Sequence, residues 1–136
     1  MIFKLHRRTD LALRAMRQLA EANHTKLTGP DLAKAVGTTP SFLPQVLSPL
    51  IRAGWIVSER GPGGGYVLTE HACSASLHEL VEATEGPTID GRCVLEDASR
   101  PGDHAFPVHL VTHEARSVLV EGFRQIPTMP HQGAKP

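Results

Sequence analysis

Apolar residues recur at helical spacing along most of this chain and at strand-like density in one stretch. Over residues 7–22, Leu11, Ala12, Ala15, Met16, Leu19 and Ala20 fall three or four apart, which gathers them on one stripe of a helix. Arg7, Arg8, Arg14 and Arg17 lie largely off that stripe. Thr28-Gly-Pro-Asp31 reads as the next helix start: a hydroxyl to cap free amides, a proline for the first turn, and an acid for the positive end of the dipole. Leu32, Ala33, Ala35 and Val36 supply its buried side, and Gly37 is a natural stop. Thr39 and Pro40 form a second start, followed by Phe42, Leu43, Val46, Leu47, Leu50 and Ile51 up to Gly54. Two helices joined at Gly37-Thr38 form a helix-turn-helix pattern. Pro44 and Pro49 fall inside the second helix and predict a kink or an irregular stretch.

Residues 55–60 and 66–69 read as two strands, with Gly61-Pro-Gly-Gly-Gly65 between them. That is a hairpin with a glycine-rich tip, a wing, and glycines let the backbone approach another surface. Ser76-Leu-His-Glu79 has capping-box spacing and opens a helix through Leu77, Leu80, Val81 and Ala83 that ends near Gly86. Residues 87–106 show no period and read as an ordered loop. Residues 107–125 form a longer amphipathic helix with Leu110, Val111, Ala115, Val118, Leu119 and Phe123 on its apolar side. Pro127–Pro136 is polar and Pro/Gly-bearing, and is expected to fray.

The 136 residues fit one domain plus an arm, and only six are aromatic, so an aliphatic core supplemented by oligomerisation is expected. No apolar run approaches the roughly 20 residues that cross a bilayer, and the charged N-terminus does not read as a signal peptide, so no membrane role and a cytoplasmic location are expected. Two cysteines, Cys73 and Cys93, make no disulfide framework, and Cys73 reads as structural. The net charge is zero, but its distribution is not even. Residues 1–69 hold nine Lys/Arg against four acids, whereas residues 70–136 hold five against ten. A basic head joined to an acidic half suits a DNA-binding head with a separate sensing or pairing part. There is no phosphate loop, no paired acid/base signature and no nucleophile triad; the glycines lie between strands, whereas nucleotide-binding glycines lead into a helix, so an enzyme is not expected.

Helix, helix-turn-helix, wing, linking helix, cysteine-bearing loop and long helix together resemble the Rrf family of bacterial winged-helix regulators, which includes an iron–sulfur-cluster regulator and a nitric-oxide-sensing repressor. Arg60-Gly-Pro-Gly-Gly-Gly-Tyr-Val-Leu68 is similar to the family's wing signature, and Thr9-Asp-Leu-Ala-Leu-Arg14 to the start of its first helix. Ser41-Phe-Leu-Pro-Gln45 and Arg52-Ala-Gly54 sit where its recognition helix runs into the wing, and Pro107-Val-His109 where its dimerisation helix opens. The resemblance implies a mainly α winged helix-turn-helix with a two-stranded β-wing and a long C-terminal dimerisation helix. Residues 1–86 would be the DNA-binding domain, 87–106 a sensor loop, 107–126 the dimerisation helix and 127–136 a flexible tail. It implies a homodimeric repressor on double-stranded, palindromic operator DNA.

On that reading Ser41, Phe42 and Gln45 face the major groove, where Gln pairs with adenine and Phe touches a thymine methyl; Phe42 also fits the core stripe. Arg60 with Gly61, Gly63, Gly64 and Gly65 lies along the minor groove or backbone, and Lys4, Arg7 and Arg8 contact phosphates. The family's sensor is an iron–sulfur cluster on three loop cysteines. Cys93 matches the first; the others would fall near Ser99 and Ala105, or at Arg100 and Phe106, and none of these is cysteine. Asp10 matches a position that supplies a carboxylate ligand in the nitric-oxide-sensing branch. Cys93, Asp10, His104 and His109, with His113 one turn on, are the candidate ligands of a metal or cluster; the alternative for the histidines is a solvated helix face. Operator binding is then modulated by redox, nitric oxide or iron–sulfur status through Cys93. The alternative is a regulator without a cluster that answers to a small ligand, a metal or a protein partner.

Overall fold

The computed structural model describes residues 4–88 and 107–129. Its elements run α1 (Arg7–Glu21), α2 (Gly29–Val36), α3 (Leu43–Arg52), β1 (Ile56–Glu59), β2 (Gly65–Leu68), a short 3-10 helix (Glu70–Ser74), α4 (Leu77–Glu85) and α5 (Pro107–Gln125). The fold is mainly α with one antiparallel hairpin, as the sequence pattern implies. No described helix is long and apolar enough to cross a membrane.

The caps explain most of the boundaries. The Thr28 hydroxyl accepts the Asp31 N–H at 3.3 Å and donates to the Asp31 carboxylate at 2.8 Å, opening α2 with Pro30 in its first turn. Gly37 closes α2 in the left-handed region (φ 79°), and the Gly37 and Thr38 amides fold back onto Ala33 O. Ser76 and Glu79 form the reciprocal capping box at the start of α4.

One boundary differs from the sequence expectation. Thr39–Phe42 is a turn, with the Thr39 hydroxyl accepting the Phe42 N–H at 3.2 Å, and α3 begins only at Leu43. Pro44 therefore stands in the first turn, where its missing donor costs nothing, and Pro49 is the sole interior proline of α3. The helix nevertheless continues through Pro49 to Arg52, and Pro49 itself is buried.

The core is aliphatic. Leu11, Met16 and Leu19 of α1, Leu32 and Val36 of α2, Leu43, Val46, Leu47 and Leu50 of α3, and Leu80 of α4 enclose one another, with Trp55 and Ile56 closing the end nearest the hairpin. Within the hairpin Ile56 pairs with Leu68 and Glu59 with Gly65. The opposite edge of β2 is covered too. Leu27 and Tyr66 exchange two backbone hydrogen bonds, of 3.0 and 2.8 Å, so the turn before α2 acts as a third strand one residue long.

The end of the described chain is also tied down. Pro127 bridges to Ser76, the Thr128 N–H and hydroxyl both donate to Ala75 O at 3.0 and 2.9 Å, and Thr128 is buried. The expected fraying therefore does not extend to residues 127–129, because Ala75 and Leu77 supply backbone partners that no local pattern announces; residues 130–136 lie outside the described part. Cys73 differs from a second expectation: it is exposed on the 3-10 helix.

Candidate nucleic-acid interface

Helix α3 has two faces. Leu43, Val46, Leu47 and Leu50 point into the core, as their spacing requires. That leaves Pro44, Gln45, Ser48, Ile51 and Arg52 outside, continuous with exposed Ser41 in the preceding turn. Apart from Arg52 this outward face is uncharged, and it carries amide and hydroxyl groups suited to base edges.

The face opens into a groove of about 690 Å³ whose far wall is the wing. Pro44, Ser48, Ile51 and Arg52 line one side, and Ser58, Glu59, Arg60 and the tip glycines the other. Arg60 is fully on the surface at the tip. Glu59, the one acid on this wall, is engaged by Lys26 in an ion pair, which offsets its repulsion of a polyanion. A neighbouring depression of about 340 Å³ joins Arg8 of α1 to Pro44, Gln45, Ser48, Pro49 and Arg52. Arg8, Arg52 and Arg60 thus frame the outward face of α3.

The wing is anchored from within the protein. A Cβ on Gly65 would stand 2.5 Å from Leu27 O, so only glycine allows the Leu27–Tyr66 pairing there. A Cβ on Gly64 would collide with the backbone of Glu59 and Gly61. Two of the tip glycines are accordingly accounted for by contacts inside the fold; approach to an outside surface is not needed to explain them. Gly61 and Gly63 face open space.

The structure brings together Arg8, Ser41, Gln45, Arg60 and the wing glycines. Phe42 is half-buried and packs against the core, in line with the second of its two readings. Lys4 and Arg7 line a different depression, of about 570 Å³, with Asp10, Arg14, Val36 and Gly37 and without any α3 residue. Sequence reasoning missed Ser48 and Arg52, although both continue the three- and four-residue spacing from Ser41 through Pro44 and Gln45 that defines the exposed face.

The candidate metal ligands are not assembled among the described residues. Cys93 and His104 lie outside them; His109 is in the first turn of α5, its side chain likewise outside. His113 is exposed, and no group of three His, Cys, Asp or Glu side chains suited to a metal occurs among the described residues. Asp10 is already engaged: Arg14 donates to both its oxygens, Nη2 to Oδ2 at 2.9 Å and Nε to Oδ1 at 3.2 Å. With two cysteines in the whole chain, and one of them at Cys73, the donor set does not fit a cluster held by three thiolates.

Comparison with known proteins converges on one group. A family model, Rrf2, described as iron-dependent transcriptional regulators, matches residues 5–126. An rrf2-like HTH-type transcriptional regulator of Rhodobacter capsulatus is 34% identical over 96 residues, covering 68% of this chain and 64% of that protein. The HTH-type transcriptional regulator IscR of Klebsiella pneumoniae is 35% identical over 80 residues, 56% of this chain and 49% of its own length. The match thus spans about half to two thirds of these relatives. Among solved structures, CymR, the global cysteine regulator of B. subtilis, superposes with a TM-score of 0.71 at 25% identity, covering 93% of this chain and 94% of that one. IscR of T. potens shares the fold, with a TM-score of 0.69 at 20% identity over 93% of this chain and 83% of its own.

Proposed function

The chain belongs to the Rrf2 family, and on that premise we propose that it is a DNA-binding transcriptional regulator, a homodimeric repressor acting on a palindromic operator. The observation that carries this reading is the open outward face of α3, with Gln45 and Ser48 beside Pro44 and Ile51, framed by Arg8, Arg52 and Arg60 and walled by a braced wing. Gln45 and Ser48 read base edges, Pro44 and Ile51 meet thymine methyls, and the arginines hold the phosphate backbone. Homodimerisation is supported by α5, whose Leu110, Val111 and Val118 are 59%, 64% and 75% exposed in the single chain. A second copy laid on that face would remove them from water and present two α3 helices about one turn of DNA apart.

Selection of bound duplexes from a random-sequence pool tests the reading. The expected result is an inverted repeat with half-sites separated by about one helical turn. Gln45→Ala should cost about 1–3 kcal/mol of discrimination at one base position, while Arg60→Ala should weaken all duplexes alike and lower the salt dependence by about one phosphate contact. Absence of any salt-dependent binding to any duplex would overturn it.

For the signal, a reading without a cluster is favoured by the donor set: one loop cysteine, and an Asp10 carboxylate held by Arg14. On this reading the chain answers to a small ligand, a metal or a protein partner, and Cys93 serves at most as a thiol. Anaerobically purified protein is then expected to be colourless and free of acid-labile sulfide. Stoichiometric iron and sulfide would restore the cluster reading, with sensing of redox or nitric oxide through Cys93.

A further inference from the structure

Helix α1 begins without a side-chain cap of its own, since His6 in the capping position contributes none. The cap comes from 79 residues away. Oε1 of Glu85, the last residue of α4, accepts the His6 backbone N–H at 2.9 Å and the Thr9 hydroxyl at 2.5 Å. The Thr9 and Thr84 hydroxyls lie 2.8 Å apart, and the imidazole of His6 stands 3.7 Å from the other Glu85 oxygen. Thr9 is wholly buried and the Glu85 side chain is 19% exposed, while the His6 side chain is 76% exposed, so the polar junction is buried on its Thr9 side and open on its His6 side. A carboxylate at a helix N-terminus also meets the positive end of the dipole.

The turn fixed in this way is the one that carries Arg8, which frames the α3 face. We propose that Glu85 is a positioning residue for DNA binding: by capping α1 from α4 it holds Arg8 where a phosphate of the duplex lies. The proposal rests on the DNA-binding reading above and adds a residue that touches no DNA itself. Both hydrogen bonds fall on one oxygen, so a neutral amide with its carbonyl in that place preserves them, whereas a methyl group does not.

The test is fluorescence anisotropy of the full chain with a non-specific duplex of about 30 bp over a range of salt, because phosphate contacts act without regard to sequence. Glu85→Ala, and Thr9→Val from the other side of the junction, should weaken binding by roughly fivefold and lower the salt slope by about one, the signature of one lost phosphate contact. Glu85→Gln should restore both. In an Arg8→Ala background, Glu85→Ala should have no further effect, which separates positioning from general destabilisation; hydrogen exchange should be faster at the His6 amide, the donor to Glu85, in Glu85→Ala while the α3 amides stay protected. Unchanged affinity and slope in Glu85→Ala and Thr9→Val, or an equal loss with and without Arg8, would overturn the proposal. Failure of the unaltered chain to bind any duplex would instead overturn the DNA-binding reading, while exchange at the His6 amide still reports on the cap.

Discussion

Helices α3 and α5 are both amphipathic in sequence, and the single chain completes only one of them. In α3 every leucine, from Leu43 to Leu50, is enclosed by the protein's own core, and the side facing water carries Gln45, Ser48 and Arg52 beside the apolar Pro44 and Ile51. In α5 Val120 is buried, but Leu110, Val111 and Val118 stand in solvent. Large apolar side chains left uncovered between Leu110 and Val118 are the kind of surface that marks a contact site. The contrast is one of completeness: α3 has its leucines enclosed by the same chain, whereas α5 keeps three large apolar side chains in water.

That contrast can be broken in a graded way. The largest effect is expected from Leu47→Ala, which empties a site with no exposure: a loss of about 2–5 kcal/mol, seen as a lower denaturant midpoint at any protein concentration. Val118→Asp should act in the opposite manner, leaving the fold of the single chain nearly untouched. On the dimer reading it should weaken self-association by about 3 kcal/mol, since each of two copies loses a buried valine, and sedimentation at micromolar concentration would register it. A Val118→Asp chain that sediments like the unaltered one would remove α5 from the interface. The smallest effect belongs to Ser76→Ala, which deletes half of the α4 capping box and should cost about 1 kcal/mol in thermal unfolding.

The sequence announces those features whose cause is local. Thr28, Gly37 and the Ser76/Glu79 pair mark helix ends by their own chemistry, and all are found in those roles. The start of α3 lies later than Thr39 and Pro40 predict: Thr39–Phe42 closes a turn of its own, and Pro44, expected inside the helix, takes its first turn. Contacts between distant residues carried no local signal. The Leu27–Tyr66 pairing, the Glu85 cap on α1 and the attachment of Thr128 to Ala75 join residues 39, 79 and 53 positions apart. The interface was half legible. Gln45 and Arg60 stand out as residue types beside a wing, whereas Ser48 and Arg52 became part of it only once the buried side of α3 was known. Of the candidate metal ligands, Cys93, His104 and the His109 side chain lie outside the described residues, and Asp10 is paired with Arg14 one turn away.

The stitch between Thr128 and Ala75 has a mechanical consequence. It anchors the C-terminal foot of α5 to the segment that launches α4, with Leu77 adding a further backbone bond to Ile126. The segment that follows α5 is therefore tied to the start of α4 by backbone bonds. On the dimer reading proposed above, these few bonds set how α3 of each copy is held relative to the other, and cutting the chain after Gln125 is expected to loosen that setting while the core stays folded.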